Sequence, residues 1–254
     1  SKYPVGEAGG SSERYMKENE SMNLLTMEHI TKAYTDRVLL NDVAFSINEN
    51  EKIGVIGING MGKSTLLKVA AGIEPCDEGK ISMGNQVKIC YLPQTPEFEE
   101  GTTVLRAAIA DNVNELNQWT IEADARSMLN QLGFYDYDEK VEHMSGGQKK
   151  RASIAVELLA DPKLFFLDEP TSGLDPGTEK NLMTILSKLS KTKDKTIIMV
   201  THTTQSLDMC DKIIFMGPGG RLCFVGTAQQ ALMFFQTDSL VNVYNIIAKD
   251  PQFW

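Results

Sequence analysis

Long apolar runs are missing from this sequence of 254 residues. A membrane-spanning helix needs about 20 consecutive apolar residues. The apolar stretches Ile53 to Ile58, Leu164 to Leu167 and Thr196 to Thr201 have only the length of buried strands. Any membrane role is therefore expected to come through a partner, with the chain at most peripheral to the bilayer. Basic charge is also scarce, since 25 Lys and Arg stand against 34 Asp and Glu, a formal net charge of −9. Such a surface repels phosphate backbones at long range, and no dense basic patch offsets it, which counts against direct binding to nucleic acid. Cysteine is sparse: Cys76, Cys90, Cys210 and Cys223 are widely spaced and form no CxxC pair. That pattern fits a reducing cytoplasm better than a disulfide framework or a zinc site, and the four are read as small buried apolar residues. The first residues hold no basic segment followed by an apolar core, so no secretory signal is expected.

What is present is enough for a sizeable core, with 42% hydrophobic and 23% charged residues. Ser1 to Met22, rich in Gly, Ser and charge, reads as a flexible leader. One folded unit is expected over residues 23–237, with a C-terminal helix and tail over 238–254. From Leu24 to Ile47, β-type runs alternate with turn signals at Thr35-Asp36 and Asn41-Asp42, predicting a small antiparallel sheet. A strand over Lys52 to Gly57 then leads through a glycine-rich loop into a helix from Lys63 to Ala71, stopped by Gly72. Two amphipathic stretches, Thr102 to Asp111 and Trp119 to Leu132, predict a helical subdomain at about 97–145. Beyond it come a helix (Ser145 to Ala160), a strand (Leu164 to Leu167), a helix (Pro176 to Leu189) and a strand (Thr196 to Thr201). A hairpin around Pro218-Gly219-Gly220 and a terminal helix close the chain. The alternation points to an α/β fold with a mostly parallel sheet flanked by helices.

Three segments carry chemistry. Gly57-Ile58-Asn59-Gly60-Met61-Gly62-Lys63-Ser64 fits GxxxxGK[ST], the phosphate loop of P-loop NTPases. Its glycines let backbone N–H groups close around phosphates, and the helix that follows aims its dipole at the same anion. Lys63 is expected to meet the β- and γ-phosphates, Ser64 to ligate Mg²⁺, and Asn59, Gly60 and Thr65 to line the nucleotide. The strand Leu164 to Leu167 ends in Asp168-Glu169, at the carboxyl edge where open α/β sheets bind ligands. Asp168 is expected to hold Mg²⁺ through water, and Glu169 to polarise the attacking water. Third, Met144-Ser145-Gly146-Gly147-Gln148 opens a helix, giving a second anion-binding end.

This last segment resembles the LSGGQ signature of ATP-binding cassette (ABC) proteins, with Met in place of Leu. The likeness covers about Leu24 to Val225. It implies an ABC cassette that hydrolyses ATP with Mg²⁺, in which Ser145, Gly146, Gly147 and Gln148 close over nucleotide held by a second cassette, most simply another copy of the chain. It also implies an adenine-stacking role for Tyr34, a Q-loop role for Gln94 at the metal and the catalytic water, a D-loop role for Asp175, and a switch role for His202 beside Glu169.

Within the family, Glu51 to Gly57 and Tyr91-Leu92-Pro93-Gln94 resemble the F-type, translation-associated branch. After Arg151, Ile154 to Leu159, Glu169 to Asp175 and Gly220 to Phe235 look like G-type exporters. The charge shifts at the same place, with 13 basic and 23 acidic residues up to Gln148 and 12 and 11 after it. These features suggest a chimera joined near Ser145 to Arg151. The expected function is the ATPase of a membrane transporter with a transmembrane partner. The alternatives are an F-type translation ATPase, or a recombined cassette that binds ATP without a natural partner.

Overall fold

The computed structural model describes residues 21–110, 112–192, 195–202 and 207–249. Of the expected leader only Ser21 and Met22 fall among them, and residues 250–254 of the expected tail also lie outside.

In chain order the structure opens with β1 (Asn23–Tyr34), β2 (Arg37–Asn48), β3 (Lys52–Gly57), α1 (Lys63–Ala70), β4 (Glu78–Met83) and β5 (Ile89–Leu92). Strands β2, β1 and β4 form a three-stranded antiparallel sheet. The hairpin turns at Thr35-Asp36, as the sequence suggested, with Thr35 in the left-handed region at φ 54°. The other turn signal, Asn41-Asp42, makes no turn, because β2 runs straight through it. There the pairing slips between Met27 and Ile30, and His29 (φ 52°) and Asp42 (φ 53°) both turn left-handed. His29 Nδ1 and Asp42 Oδ1 lie 2.6 Å apart across this bulge. Asp tolerates a positive φ in a bulge as readily as in a turn, so the residue type alone did not separate the two.

The helical part follows as α2 (Val104–Ala110), α3 (Ile121–Gln131) and α4 (Gly146–Leu159). The first two are shorter than predicted, and Trp119, expected inside α3, precedes it at 89% exposure. The chain continues through β6 (Leu164–Asp168), α5 (Pro176–Thr192), β7 (Thr196–Val200), β8 (Lys212–Met216), β9 (Leu222–Gly226), α6 (Ala228–Phe234) and α7 (Leu240–Lys249). Where one terminal helix was expected there are two, separated by a break at Gln236, which sits at φ 51°. Among the described residues no helix is long and apolar enough to cross a membrane.

The second sheet has the order β5-β6-β7-β3-β8-β9 and is parallel except for β9. Its two faces are sorted by the period of two along each strand. Leu164 and Phe166 of β6, with Ile198 and Val200 of β7, pack toward α1 and the antiparallel sheet. Phe165 and Leu167, with Ile197 and Met199, pack toward α2 to α5. Helix α1 is thus held between the sheets, contributing Leu66, Leu67, Val69 and Ala70 to one core. A third cluster joins β8 to α6 and α7 through Phe215, Phe235 and Val243. Burial on both faces is what makes the central strands read as continuous apolar runs.

The cysteine expectation holds for Cys90 only; Cys76, Cys210 and Cys223 are half-buried at cluster margins. Burial nevertheless pushes the Cys210 thiol up to about 12 and the Cys223 thiol up to about 11, so both stay protonated near neutrality.

Candidate active site

The loop from Ile58 to Gly62 connects the end of β3 to the start of α1 at the carboxyl edge of the parallel sheet. Gly62 caps α1 at φ 88°, and a Cβ there would collide with the Leu39 carbonyl of β2. Only glycine meets both demands. No acidic residue occupies the first turn of α1, so its positive dipole end is left for an incoming anion. Lys63 is buried, and its Nζ folds back to donate to the carbonyls of Gly57 (2.7 Å) and Ile58 (3.1 Å). Burial pulls its pKa down, against the opposing pull of Glu169 and Asp168.

Asp168 and Glu169 leave the end of β6 in different directions. Asp168 is buried; its Oδ1 accepts from the Ser64 hydroxyl (3.1 Å) and its Oδ2 from the Tyr91 hydroxyl (3.3 Å). Desolvation raises its pKa, partly offset by those two hydrogen bonds. Glu169 has φ 50°, a conformation that costs a non-glycine residue of order 1–3 kcal/mol and is concentrated at functional sites. That turn brings its carboxylate to two side chains from distant loops. Gln94 Nε2 donates to Oε2 at 2.9 Å, and His202 Nε2 lies 2.5 Å from Oε1. The three residues expected to be catalytic therefore meet at one carboxylate.

They also face the phosphate loop. A cavity of about 470 Å³ is lined by Asn59, Gly60, Gly62, Lys63, Ser64 and Thr65 on one side and by Gln94, Glu169 and His202 on the other. The Ser64 hydroxyl and Asp168 carboxylate lie side by side and supply the hard oxygen donors that suit Mg²⁺. Among the described residues no group of three or more His, Cys, Asp or Glu could hold a metal ion. A cation at this pair would need its remaining ligands from phosphate oxygens and water. Gln94, expected at the metal, donates its amide nitrogen to Glu169, and the amide oxygen is the atom that would meet a cation.

The Ser145 to Gln148 segment and Asp175 are not part of this cavity. They line a separate one of about 280 Å³ together with Ser172, Gly173 and Thr178. Ser145 and Gln148 form a reciprocal cap on α4: Ser145 Oγ accepts from Gln148 N (3.2 Å), and Gln148 Oε1 accepts from Ser145 N (2.9 Å). Asp175 caps α5, with Oδ1 accepting from the N–H groups of Gly177 and Thr178, each at 3.0 Å. Hydrogen bonds from Thr178 and Gly177 hold its carboxyl below the usual range.

Tyr34 also lies apart from the phosphate-loop cavity. The residue is 44% exposed, Lys32 Nζ sits 5.3 Å from the ring centroid, and its hydroxyl donates to Glu74. Three further residues at the two sites were not foreseen. Arg37, at the start of β2, lines the phosphate-loop cavity and donates from Nη2 to the Gly60 carbonyl at 2.6 Å. Tyr91 reaches Asp168. Lys150, buried on α4, donates from Nζ to the carbonyls of Glu169 (3.1 Å) and Ser172 (2.7 Å). Each contact joins residues far apart in sequence, and only the charge or hydroxyl itself could have hinted at it.

A phosphate loop that shares its cavity with Glu169 and a histidine, and whose Ser64 is bonded to the strand-end Asp168, makes this a P-loop nucleotide hydrolase. The sequence pattern of the ABC transporter family matches residues 40–172, more than half of the chain. Rv1747 of Mycobacterium tuberculosis, an ABC transporter ATP-binding/permease protein, is 32% identical over 231 residues, covering 85% of this chain and 27% of Rv1747. The chain thus spans about a quarter of that relative. A solved ATP-binding subunit of an ABC transporter superposes with a TM-score of 0.77 at 28% identity, covering 89% of this chain and 99% of that one. The MJ0796 cassette, solved as a dimer bound to ADP and Pi, shares the fold at a TM-score of 0.72 and 23% identity, covering 80% of this chain and 98% of that one. The chain belongs to the ABC transporter family and is an ATP-hydrolysing cassette of it.

Proposed function

We propose that two copies of the cassette close head to tail and hydrolyse ATP at two composite sites, powering a membrane transporter through a transmembrane partner. The observation that carries this reading is the split between the two cavities. The phosphate loop, Gln94, Glu169 and His202 share one, with Asp168 bonded to Ser64 beneath it, whereas Ser145 to Gln148 and Asp175 line the other. A helix start that lines a cavity apart from its own phosphate loop suits nucleotide presented by a second chain, and MJ0796 was solved as a dimer.

In the proposed cycle the phosphate loop and Lys63 hold the β- and γ-phosphates. Ser64 and Asp168 would hold Mg²⁺, which when bound neutralises charge on the phosphate oxygens. Gln94 and His202 orient the Glu169 carboxylate, which accepts a proton from the attacking water. The Ser145 segment of the partner completes the γ-phosphate site. Tyr34 stacks on adenine once its ring is free of Lys32. Positioning and charge stabilisation supply most of the rate. We place the cassette at about 23–237, with the helical subdomain at about 97–145 and the terminal segment at 238–254. The proposed setting is the cytoplasmic face of a membrane.

A second reading concerns origin. The shift in likeness from F-type to G-type and the shift in charge both fall within α4, supporting a chimera joined near Ser145 to Arg151. Among the described residues, Arg151 Nε, at that junction, is the buried side-chain nitrogen or oxygen without a hydrogen-bond partner. A natural homologue equally similar on both sides of Arg151 would contradict it. ATP-dependent, salt-sensitive pelleting with ribosomes would favour an F-type function instead.

The dimer is tested by ATP turnover against protein concentration. Specific activity rising with concentration is expected; constant specific activity from nanomolar concentrations upward, with a monomeric mass throughout, would contradict it.

A further inference from the structure

Glu169 carries a strained backbone and must be held in place from behind its carboxylate as well as in front. Gln94 and His202 hold the carboxylate end. On the opposite side the Glu169 carbonyl accepts from Ser172 N at 3.1 Å, closing a tight turn, and from Lys150 Nζ, also at 3.1 Å. The same ammonium donates to the Ser172 carbonyl at 2.7 Å, so one side chain grips both ends of the turn from Glu169 to Ser172. Lys150 is only 9% exposed. Burying a cation against main-chain carbonyls is costly, so the site is hard to explain as a surface feature that drifted inward.

Lys150 also stands on α4, whose first turn is the capped Ser145 to Gln148 segment. Lys150 lies five positions along the helix from Ser145, a rise of about 7.5 Å in a rigid element. Helix α4 packs against α2, α3 and β5 rather than standing free. A rigid-body displacement of its N-terminus would carry the Lys150 ammonium, bonded to the Glu169 carbonyl, with it.

We infer that Lys150 is a positioning residue that fixes Glu169 in its left-handed conformation and links the Ser145 half-site to the catalytic carboxylate of the same chain. The inference rests on the general-base role proposed for Glu169. Nucleotide held by a partner at Ser145 would then reset the neighbouring carboxylate, coupling the two sites of the dimer through one side chain per subunit.

The test is Lys150→Met beside Lys150→Arg, read by turnover at saturating ATP, by equilibrium ATP binding and by hydrogen exchange. In K150M, kcat is expected to fall by about tenfold or more, as displacement of a catalytic group by about 1 Å does. ATP affinity measured at concentrations where the chain is monomeric should stay within about twofold, because Lys150 lines the Ser145 cavity and not the phosphate-loop cavity. K150R, which keeps a charged donor, should recover much of the lost rate. The Ser172 amide should exchange faster in K150M and at close to the wild-type rate in K150R. Wild-type turnover in K150M would overturn the inference. So would an equal loss of ATP binding and turnover that K150R leaves unrepaired, since that marks a general packing role. Absence of turnover in the wild type would defeat the proposed function instead, and the Ser172 exchange rates would still decide this inference.

Discussion

Replacing Glu169 by glutamine removes the proton acceptor while leaving almost everything else in place. The carboxylate accepts from Gln94 at 2.9 Å and meets His202 at 2.5 Å. A glutamine can turn its carbonyl oxygen toward Gln94 and its NH2 toward an unprotonated His202 nitrogen, so both contacts survive and the fold is not disturbed. The amide cannot take a proton from water. General base catalysis contributes about 10²–10⁴-fold, equivalent to about 2.7–5.4 kcal/mol of barrier. Phosphate release from Glu169→Gln at saturating ATP is expected to fall by that factor. ATP binding, measured by equilibrium titration, should be retained or tightened, since one negative charge leaves the phosphate cavity. Turnover within about twofold of wild type would refute the general-base assignment. Equal losses in binding and turnover would show that Glu169 supports the cavity rather than the chemistry.

Lys63→Ala should weaken ATP binding by about tenfold or more, because the displaced ammonium is the buried cation of the phosphate loop; isothermal titration checks this, and an unchanged affinity would contradict it. Chelation of divalent cations with EDTA should abolish turnover and Mg²⁺ should restore it, with Asp168→Asn restoring poorly; metal-independent turnover would remove Ser64 and Asp168 from their role. The Tyr34 hydroxyl holds the Glu74 carboxyl below its ordinary range, so this contact stabilises the fold above the unfolded glutamate pKa of about 4.5 and fades as pH falls through the lowered folded value. Tyr34→Phe should therefore lower Tm at pH 7 by about 2–4 °C, from a loss of about 1 kcal/mol for a part-exposed pair. Thermal unfolding should show that gap closing toward pH 3; a pH-independent gap would assign it to packing.

Contiguous features were legible in the sequence because their chemistry and spacing are local. The phosphate loop needs glycines, a lysine and a serine within eight residues, and the strand and helix around it show their own periodicities. The alternating faces of β6 and β7 were less visible, since strands buried on both sides give an unbroken apolar run. Residues tied by long-range contact were invisible: Arg37 meets Gly60, Tyr91 meets Asp168, and Lys150 meets Glu169 only once the strands are ordered in the sheet. Asn41-Asp42 misled as a turn because a bulge uses the same left-handed tolerance. The single terminal helix became two because nothing in Gln236 to Ser239 marks a helix break as strongly as proline would.

The most direct test of the central claim mixes two inactive variants, Lys63→Ala and Ser145→Arg. The first keeps an intact Ser145 segment and the second an intact phosphate loop. If the sites are composite, the mixture recovers ATP turnover that neither variant shows alone, because the mixed dimer contains one complete site. If the mixture stays inactive although the two variants co-purify as a dimer, the head-to-tail account is contradicted.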